Sequence, residues 1–422
     1  MNKSFYPKLD ETVYRCRLSC GLTVAVVPKP GFTRKLAYFV TDFGSIHTDF
    51  RLDGKEYHVP AGVAHYLEHK LFELPGRDVS AEFANLGANV NAFTSYDMTA
   101  YYFSCTENFD KSLELLLEFV STPYFPEESV IREQGIIDQE IGMFLDNPEA
   151  RVFDRLMEAM YRRHPIRVPI LGSCETIREI TPQILELCHR AFYAPGNMIL
   201  CVVGDVDPDQ VAEAAEKILG TQMRPVAEKI RDWQEEMTCP EAFVEQQMEV
   251  AMPTFQLGFK CPGIPTGEAA IRAEIVGDLA AEALFGESSA LYLQMYESGL
   301  IDASFGGGFE TVDGCAMITC GGDSVDPQAI RSAILAGAKQ LLETGIDGES
   351  FLRMKRSALG RRIRDLDSFD STCFRVCAYH FSQFDYFQFP SVYAEVTVDE
   401  VYEFLTQVVA ENRCALSVIT PM

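Results

Sequence analysis

The stretch PAGVAHYLEHKLFELPG, from Pro60 to Gly76, is the part of the sequence from which the fold can be worked out in both directions. Pro60 near its start, Pro75 and Gly76 at its end, and apolar residues at helical spacing predict a single amphipathic helix. Two segments before it, CRLSCGLTVAVVPKP and RKLAYFVTDFGS, are rich in β-forming residues and bounded by Gly and Pro, which is typical of strands. Strands followed by a helix that can pack on them predict an α+β unit.

The residues after this helix extend the same unit. The segment ANVNAFTSYDMTAYYFSC predicts a β-hairpin that turns between Ser95 and Met98, and several helices and the strand MILCVVGDV follow. Residues 223–242 are polar and carry two prolines, which is typical of a linker. The order then repeats as strands, helices, a hairpin, three helices and the strand RCALSVIT. We therefore predict two duplicated α+β domains, 1–222 and 243–422, each a mostly antiparallel sheet covered by helices.

Length, charge and cysteine usage limit the class of protein. A chain of 422 residues exceeds what one hydrophobic core supports, which agrees with two domains. The net charge of −26 repels phosphate backbones, so we expect no nucleic-acid partner. The thirteen cysteines are an odd number without CxxC spacing, which favours a reducing compartment. Neither a signal peptide nor a membrane-spanning apolar run is evident, so we expect a cytoplasmic location without membrane contact.

Two of the seven histidines lie in the motif His65-Tyr66-Leu67-Glu68-His69. Positions i and i+4 share one face of a helix, so both imidazoles can reach one metal ion while Glu68 lies beside them, near a water. Two imidazoles completed by a carboxylate are a ligand set that suits zinc. The alternative is that the two histidines cap or hydrogen-bond within an ordinary core.

A catalytic zinc site needs a third protein ligand, which must come from another helix. The segment EESVIREQGIIDQEIGMF supplies Glu133 and Glu140, which are two helical turns apart and therefore on one face. We predict that Glu140 is the third ligand and that Glu133 is an acid behind the ligands, which orients a ligand or the water. His164 and His189 are poorer candidates because neither lies in a comparable motif.

These motifs carry a family resemblance. HYLEH, followed by Glu140 within EQGIIDQEIGMFLDNPEARV, resembles the family of pitrilysin, insulin-degrading enzyme and mitochondrial processing peptidase, and the hairpin GANVNAFTSYDMTAYYFS is similar to the same family. The resemblance implies duplicated α+β domains that form half of a peptidase chamber. It also implies that peptide substrates add a strand to a sheet edge, which the matching residues would form: Asn91, Ala92, Phe93 and Thr94.

The function predicted from these residues is that of a zinc metalloendopeptidase acting on short or unfolded peptides. Glu68 would take a proton from the attacking water and return it to the leaving amine. Two other classes stay open: a structural subunit of a processing-peptidase-like pair in which catalysis has lapsed, and a zinc hydrolase of small amides or esters. The intact ligand set argues against the first class, and the strand-presenting hairpin argues against the second.

The second half of the sequence lacks a metal motif. The segment AEIVGDLAAEAL occupies the position at which a counterpart of HYLEH is expected, and His380 is the only histidine after His189. We therefore predict one zinc per chain. The resemblance implies an Arg and a Tyr in the second half that hold substrate over the zinc, but the matching stretch Leu291–Asp302 does not have them in place. We therefore expect a heterodimer with a paralogous subunit that supplies both. The alternative is a homodimer that uses Tyr292 or Tyr296.

Overall fold

The computed structural model describes all 422 residues, from Met1 to Met422. The strands, in chain order, are β1 (Asn2–Tyr6), β2 (Glu11–Arg17), β3 (Thr23–Pro28), β4 (Lys35–Thr41), β5 (Asp49–Leu52), β6 (Lys55–His58), β7 (Glu73–Leu74), β8 (Arg77–Asp78), β9 (Asn89–Thr94), β10 (Thr99–Cys105), β11 (Met198–Gly204), β12 (Glu228–Lys229), β13 (Phe243–Met248), β14 (Thr254–Cys261), β15 (Gly306–Val312), β16 (Cys315–Asp323) and β17 (Cys414–Pro421). The α-helices are α1 (Val63–Leu71), α2 (Val79–Asn85), α3 (Phe109–Ser121), α4 (Glu127–Leu145), α5 (Pro148–Met160), α6 (Cys174–Arg178), α7 (Pro182–Phe192), α8 (Pro208–Leu219), α9 (Glu268–Phe285), α10 (Ala290–Glu297), α11 (Pro327–Thr344), α12 (Gly348–Arg364), α13 (Phe369–Phe381), α14 (Phe389–Glu395) and α15 (Val398–Val408).

The chain forms two compact units, and each unit takes segments from both halves of the sequence. Unit 1 consists of Met1–Ile141, Pro169–Arg231 and Ile363–Gln388. Unit 2 consists of Gly142–Val168, Asp232–Arg362 and Phe389–Met422. Both units are sheets covered by helices, so the predicted α+β fold is confirmed.

Unit 1 is built on a seven-stranded sheet in the order β1-β2-β3-β11-β4-β10-β9. Every neighbouring pair is antiparallel except β3 and β11, which run parallel. Side chains alternate between the two faces of a sheet. Phe39 and Leu200 belong to a core that α1, α3 and α7 also join, whereas Tyr38 and Cys201 are absent from that core. The strand β9 forms one edge of the sheet, since it pairs only with β10.

Unit 2 repeats this plan with a five-stranded sheet in the order β13-β17-β14-β16-β15. Its neighbours are antiparallel except β13 and β17, which run parallel. The buried face of α9 includes Ile271, Ile275 and Leu279, and this helix packs against β15. Both sheets are therefore mostly antiparallel, as the sequence predicts.

The compact units differ from the predicted contiguous domains, 1–222 and 243–422, because two helices have exchanged places. The helix α5 precedes the linker in sequence but packs on β14 and β17 of unit 2. The helix α13 lies near the end of the chain but packs on β4 and β11 of unit 1. An amphipathic helix buries its apolar face on any sheet that the chain lets it reach, so neighbours in sequence need not be neighbours in space. The passage from Arg231 to Asp232 between the units lies within the predicted linker, 223–242.

Several local elements also differ from expectation. The segment before Glu11 forms β1, and CRLSCGLTVAVVPKP contributes to two strands, β2 and β3, separated by a turn at which Gly21 has a φ of +95°. Only glycine enters that region of backbone conformation without strain. Five helices rather than three lie between β16 and β17, whereas the hairpin β9–β10 turns where the sequence predicts. None of the helices combines the length and apolarity that crossing a membrane requires.

Candidate metal centre

The helix α1 carries the histidine motif and begins where the chain turns sharply at Gly62. Gly62 has a φ of +91°, and a Cβ at this position would come within 2.5 Å of the carbonyl oxygen of Leu171. Glycine is therefore required both by the conformation and by the close contact. The helix is almost wholly buried, and His65 and Glu68 are 7% and 9% exposed. The motif thus lies on a helix held firmly within the core of unit 1.

The three predicted ligands converge. His65 Nε2 lies 3.5 Å from Glu140 Oε1, and His69 Nε2 lies 3.5 Å from Glu140 Oε2. One ligand atom from each of the three residues falls within 4.8 Å of the others, and these residues are the group in the chain whose spacing could hold a metal ion. Tetrahedral ligands at zinc's usual distance of about 2.1 Å are roughly 3.4 Å apart, which these separations match. The two nitrogens and one carboxylate also fit zinc by chemistry, so the residues suit this ion.

Glu133 lies behind His69, two helical turns before Glu140 along α4. Its Oε1 is 3.1 Å from His69 Nδ1, and its side chain is 15% exposed. A carboxylate at this distance can accept a hydrogen bond from Nδ1–H, which leaves the lone pair of Nε2 available to a metal ion. Burial lowers the pKa of His69, but the hydrogen bond that His69 donates to Glu133 and the surrounding carboxylates outweigh burial, and the pKa is raised.

Glu68 is buried beside the three residues and is held by a hydroxyl group. Thr94 Oγ1 donates a hydrogen bond of 2.6 Å to Glu68 Oε2. Burial raises the pKa of the Glu68 carboxyl group, and the bond from Thr94 and the nearby histidines offset only part of that effect. A carboxylate with a raised pKa is a better proton acceptor at neutral pH than an exposed one.

The strand β9 carries the four residues that the resemblance assigns to substrate, and the structure divides them between two faces. Asn91 and Phe93 alternate with Ala92 and Thr94 along the strand. The ring of Phe93 lies near those of Tyr102 and Phe374, with centroids 6.3 and 6.1 Å away. Thr94 instead points to Glu68.

Two contacts of the centre are not predicted by the sequence. One is the bond from Thr94 to Glu68, for which the sequence offers only a hydroxyl-bearing residue in a β-hairpin. The other is Lys70, whose buried ammonium group donates to Glu73 Oε2 at 2.6 Å and also binds Ser129. A lysine directly before the apolar residues Leu71 and Phe72, on a helix that is otherwise buried, is the signal that could have pointed to a buried ion pair.

The other residues considered from the sequence make their contacts elsewhere, not with His65, His69 or Glu140. His164 Nε2 is 2.8 Å from the carbonyl oxygen of Asp313, and His189 Nε2 is 3.0 Å from that of Val120, so both histidines are satisfied by backbone. Tyr292 and Tyr296 lie on α10 of unit 2, where their rings stack on each other. All thirteen cysteines are free thiols.

Comparisons with protein families match most of the chain. The family described as "Insulinase (Peptidase family M16)" matches residues 54–173, which contain all the residues of the candidate centre. The family described as "Peptidase M16 inactive domain" matches residues 179–358. The two matches therefore follow each other in the order that a duplicated chain predicts.

Individual proteins give the same picture. The uncharacterized zinc protease YmfH of Bacillus subtilis is 36% identical over 425 residues, which cover 99% of this chain and 98% of YmfH. The mitochondrial-processing peptidase subunit beta of Caenorhabditis elegans is 31% identical over 205 residues, or 47% of this chain and 43% of that subunit. The crystal structure of an M16-like peptidase from Alicyclobacillus acidocaldarius superimposes with a TM-score of 0.94 at 32% identity, covering 98% of this chain and 99% of that one.

Proposed function

Because the chain belongs to the insulinase family, peptidase family M16, we propose that it is a zinc-dependent peptidase that hydrolyses short or unfolded peptides. The observation that carries this proposal is the convergence of His65, His69 and Glu140 beside a buried carboxylate, Glu68. An acid-base group next to a set of zinc ligands is what hydrolysis of an amide bond by water requires. Several relatives are also named zinc proteases.

The roles of the side chains follow from their positions. His65, His69 and Glu140 would hold the ion, which when bound polarises a carbonyl group and lowers the pKa of water. Glu68, with its raised pKa, would accept a proton from the attacking water and pass it to the departing amine. Glu133 would keep His69 in the tautomer whose Nε2 is free to bind.

The edge of the unit 1 sheet supports a peptide as the substrate. The strand β9 has one unpaired edge, and its last residue, Thr94, touches Glu68. An extended peptide that paired with β9 would be held through its backbone, so its grip would depend little on its side chains. Such pairing needs an extended chain, which favours short or unfolded peptides over folded proteins.

A library of quenched-fluorescent peptides tests this function. We expect the purified chain, with zinc, to cleave some of these peptides, and we expect a chelator to abolish the cleavage. Glu68→Gln is the matched control, because this residue is not a ligand and the variant should keep zinc while losing most activity. Cleavage that survives both the chelator and Glu68→Gln would contradict the proposal. Zinc binding without cleavage of any peptide, even in the presence of a paralogous subunit, would support the alternative of a lapsed subunit.

We further propose that activity needs a second, paralogous subunit. The stretch Leu291–Asp302 lacks the Arg and Tyr that the family resemblance implies, so a donor that could clamp the substrate carbonyl is missing from it. The relative from Caenorhabditis elegans is named as one subunit of a peptidase, which supports a shared site. The chain alone should then cleave peptides slowly, and a paralogue that carries both residues should raise the rate sharply. The self-sufficient alternative would instead be favoured by a homodimer that is fully active without a partner. Its activity should then fall in Tyr292→Phe or Tyr296→Phe.

The thirteen free thiols bear on location. Most are buried, and none forms a disulfide in the structure. Free cysteines in this number persist in a reducing compartment, so we propose that the protein works in the cytoplasm. Mass spectrometry of the protein, alkylated under denaturing conditions during isolation from its native cells, should find all thirteen cysteines alkylated, and cysteines held in disulfides would contradict this location.

A further inference from the structure

A buried lysine ties together the two helices that carry the candidate ligands. Lys70 follows His69 directly in α1, and its side chain is 1% exposed. Its ammonium group donates to Glu73 Oε2 at 2.6 Å, donates to Ser129 Oγ, and lies 3.9 Å from Glu133 Oε2. A buried ammonium group is tolerated only with partners of this kind. Because Ser129 and Glu133 belong to α4, Lys70 holds α4 against α1.

The ammonium group also faces the carboxylate that supports His69. One oxygen of Glu133 is 3.1 Å from His69 Nδ1, and its other oxygen is the one nearest Lys70. A carboxylate held between a cation and an imidazole keeps its orientation, so it can accept a hydrogen bond from His69 Nδ1–H. Arg132 also reaches Ser129 and Glu73, at 3.0 and 3.4 Å, but it is 63% exposed. Lys70 is therefore the buried cation of the cluster.

We propose that Lys70 is a positioning residue of the metal centre, which orients Glu133 and thereby fixes the ring of His69. Burial raises the pKa of Glu73, but the hydrogen bonds from Lys70 and Ser129 outweigh burial and lower it, so Glu73 is an anion that keeps the ammonium group in place. The chain of contacts runs from Glu73 through Lys70 and Glu133 to His69. This inference rests on the proposed zinc site, because it concerns how well that site holds its ion.

The zinc dissociation constant of the full chain, measured by competition with a chromophoric chelator, tests this role. Lys70→Met has nearly the same length without the charge and should weaken zinc binding about ten- to a hundredfold, the usual effect of losing a group behind a ligand. Lys70→Arg keeps the charge and should bind zinc within about threefold of the unmodified chain. If Lys70→Met does not fold, Lys70→Gln, which can still bond to Ser129, replaces it in the same assay.

Two comparisons separate positioning from general stabilisation. Lys260 of unit 2 is an equally buried lysine, 2% exposed and paired with Glu235 at 2.9 Å, so Lys260→Met should lower the melting temperature without changing zinc affinity. In a Glu133→Gln background, Lys70→Met should weaken zinc binding by less than about threefold, since Glu133 is the group through which Lys70 acts. The ligand-field absorption bands of the Co²⁺-loaded chain should shift in Lys70→Met and stay unchanged in Lys260→Met.

Three results would overturn the proposal. The first is a folded Lys70→Met protein whose zinc affinity is within threefold of that of the unmodified chain. The second is an equal loss of zinc affinity from Lys70→Met with and without Glu133→Gln. The third is a Lys70→Arg protein that binds zinc as weakly as Lys70→Met. Failure of the zinc site itself would look different, because the unmodified chain would then bind no zinc at the start of the series.

Discussion

At the scale of single residues, the account depends on the surroundings of Glu68. Glu68 is 9% exposed, and Thr94 donates the one side-chain hydrogen bond that the structure gives its carboxyl group. This bond favours the ionised form, whereas burial disfavours it. The motif identifies Glu68 from sequence because its spacing is local. Thr94 could not be assigned this way, because its contact depends on how β9 lies against α1.

Thr94→Val should therefore reduce peptide hydrolysis about tenfold while zinc binding stays unchanged. Loss of the hydroxyl removes support for the carboxylate, so the pKa of Glu68 should rise further. Since the base form would then be reached only at higher pH, the acidic limb of kcat/KM should move upward. Thr94→Ser keeps the hydroxyl and serves as the control. An unchanged pH profile in Thr94→Val would mean that this bond has no part in the reaction.

His189 provides a prediction about stability. Burial lowers its pKa to about 4, although its hydrogen bond to the carbonyl of Val120 acts in the opposite direction. A histidine in the unfolded chain titrates near pH 6.5, so between about pH 6.5 and 4 the unfolded state binds a proton that the folded state does not. The contribution to stability is complete above that range and is lost as pH falls through it, by about 3 kcal/mol.

Urea unfolding of the metal-free chain at pH 7 and pH 4.5 measures this loss. His189→Gln can still donate to Val120 but cannot titrate, so its stability should fall less over the same interval. Equal pH dependence in the two proteins would show that His189 is not buried as a neutral group.

At the scale of elements, the local sequence pattern determines which helices and strands form, whereas packing between distant segments determines where some of them lie. The hairpin β9–β10 and the helix α4 form where the sequence predicts. The helix α1 forms within the predicted stretch Pro60–Gly76 but ends at Leu71, because Glu73–Leu74 forms the short strand β7. The positions of α5 and α13 cannot be predicted from nearby residues, because each helix packs on a sheet whose strands lie far away along the chain. An apolar stripe indicates that a helix must be covered, but it does not identify the sheet that covers it.

This exchange predicts how the chain responds to being cut in the linker. A fragment 1–222 lacks α13, which would leave one face of β4 and β11 uncovered, and its α5 would have no sheet to pack on. We expect each of the fragments 1–222 and 243–422 to aggregate or to lack cooperative unfolding when expressed alone. Expressed together, they should form a folded complex that binds zinc. Two independently folded, monomeric fragments would contradict the exchange.

At the scale of the whole molecule, the sequence predicts the fold class, the duplication and the family, and the comparisons agree with all three. The reason is physical: local periodicity indicates the order of the elements, and His65 and His69 share one face of α1 because they are four residues apart. The compact units could not be predicted, since they depend on contacts between distant segments. The contacts of Lys70 with Ser129 and of Thr94 with Glu68 could not be predicted for the same reason.

Zinc stoichiometry, measured by elemental analysis on the purified full-length chain and its variants, tests the central claim most directly. The account predicts one zinc per chain in the unmodified protein and in Glu68→Gln, and none in His65→Ala. The reason is that His65 is a zinc ligand in this account and Glu68 is not. A full zinc content in His65→Ala, or none in the unmodified chain, would contradict the account.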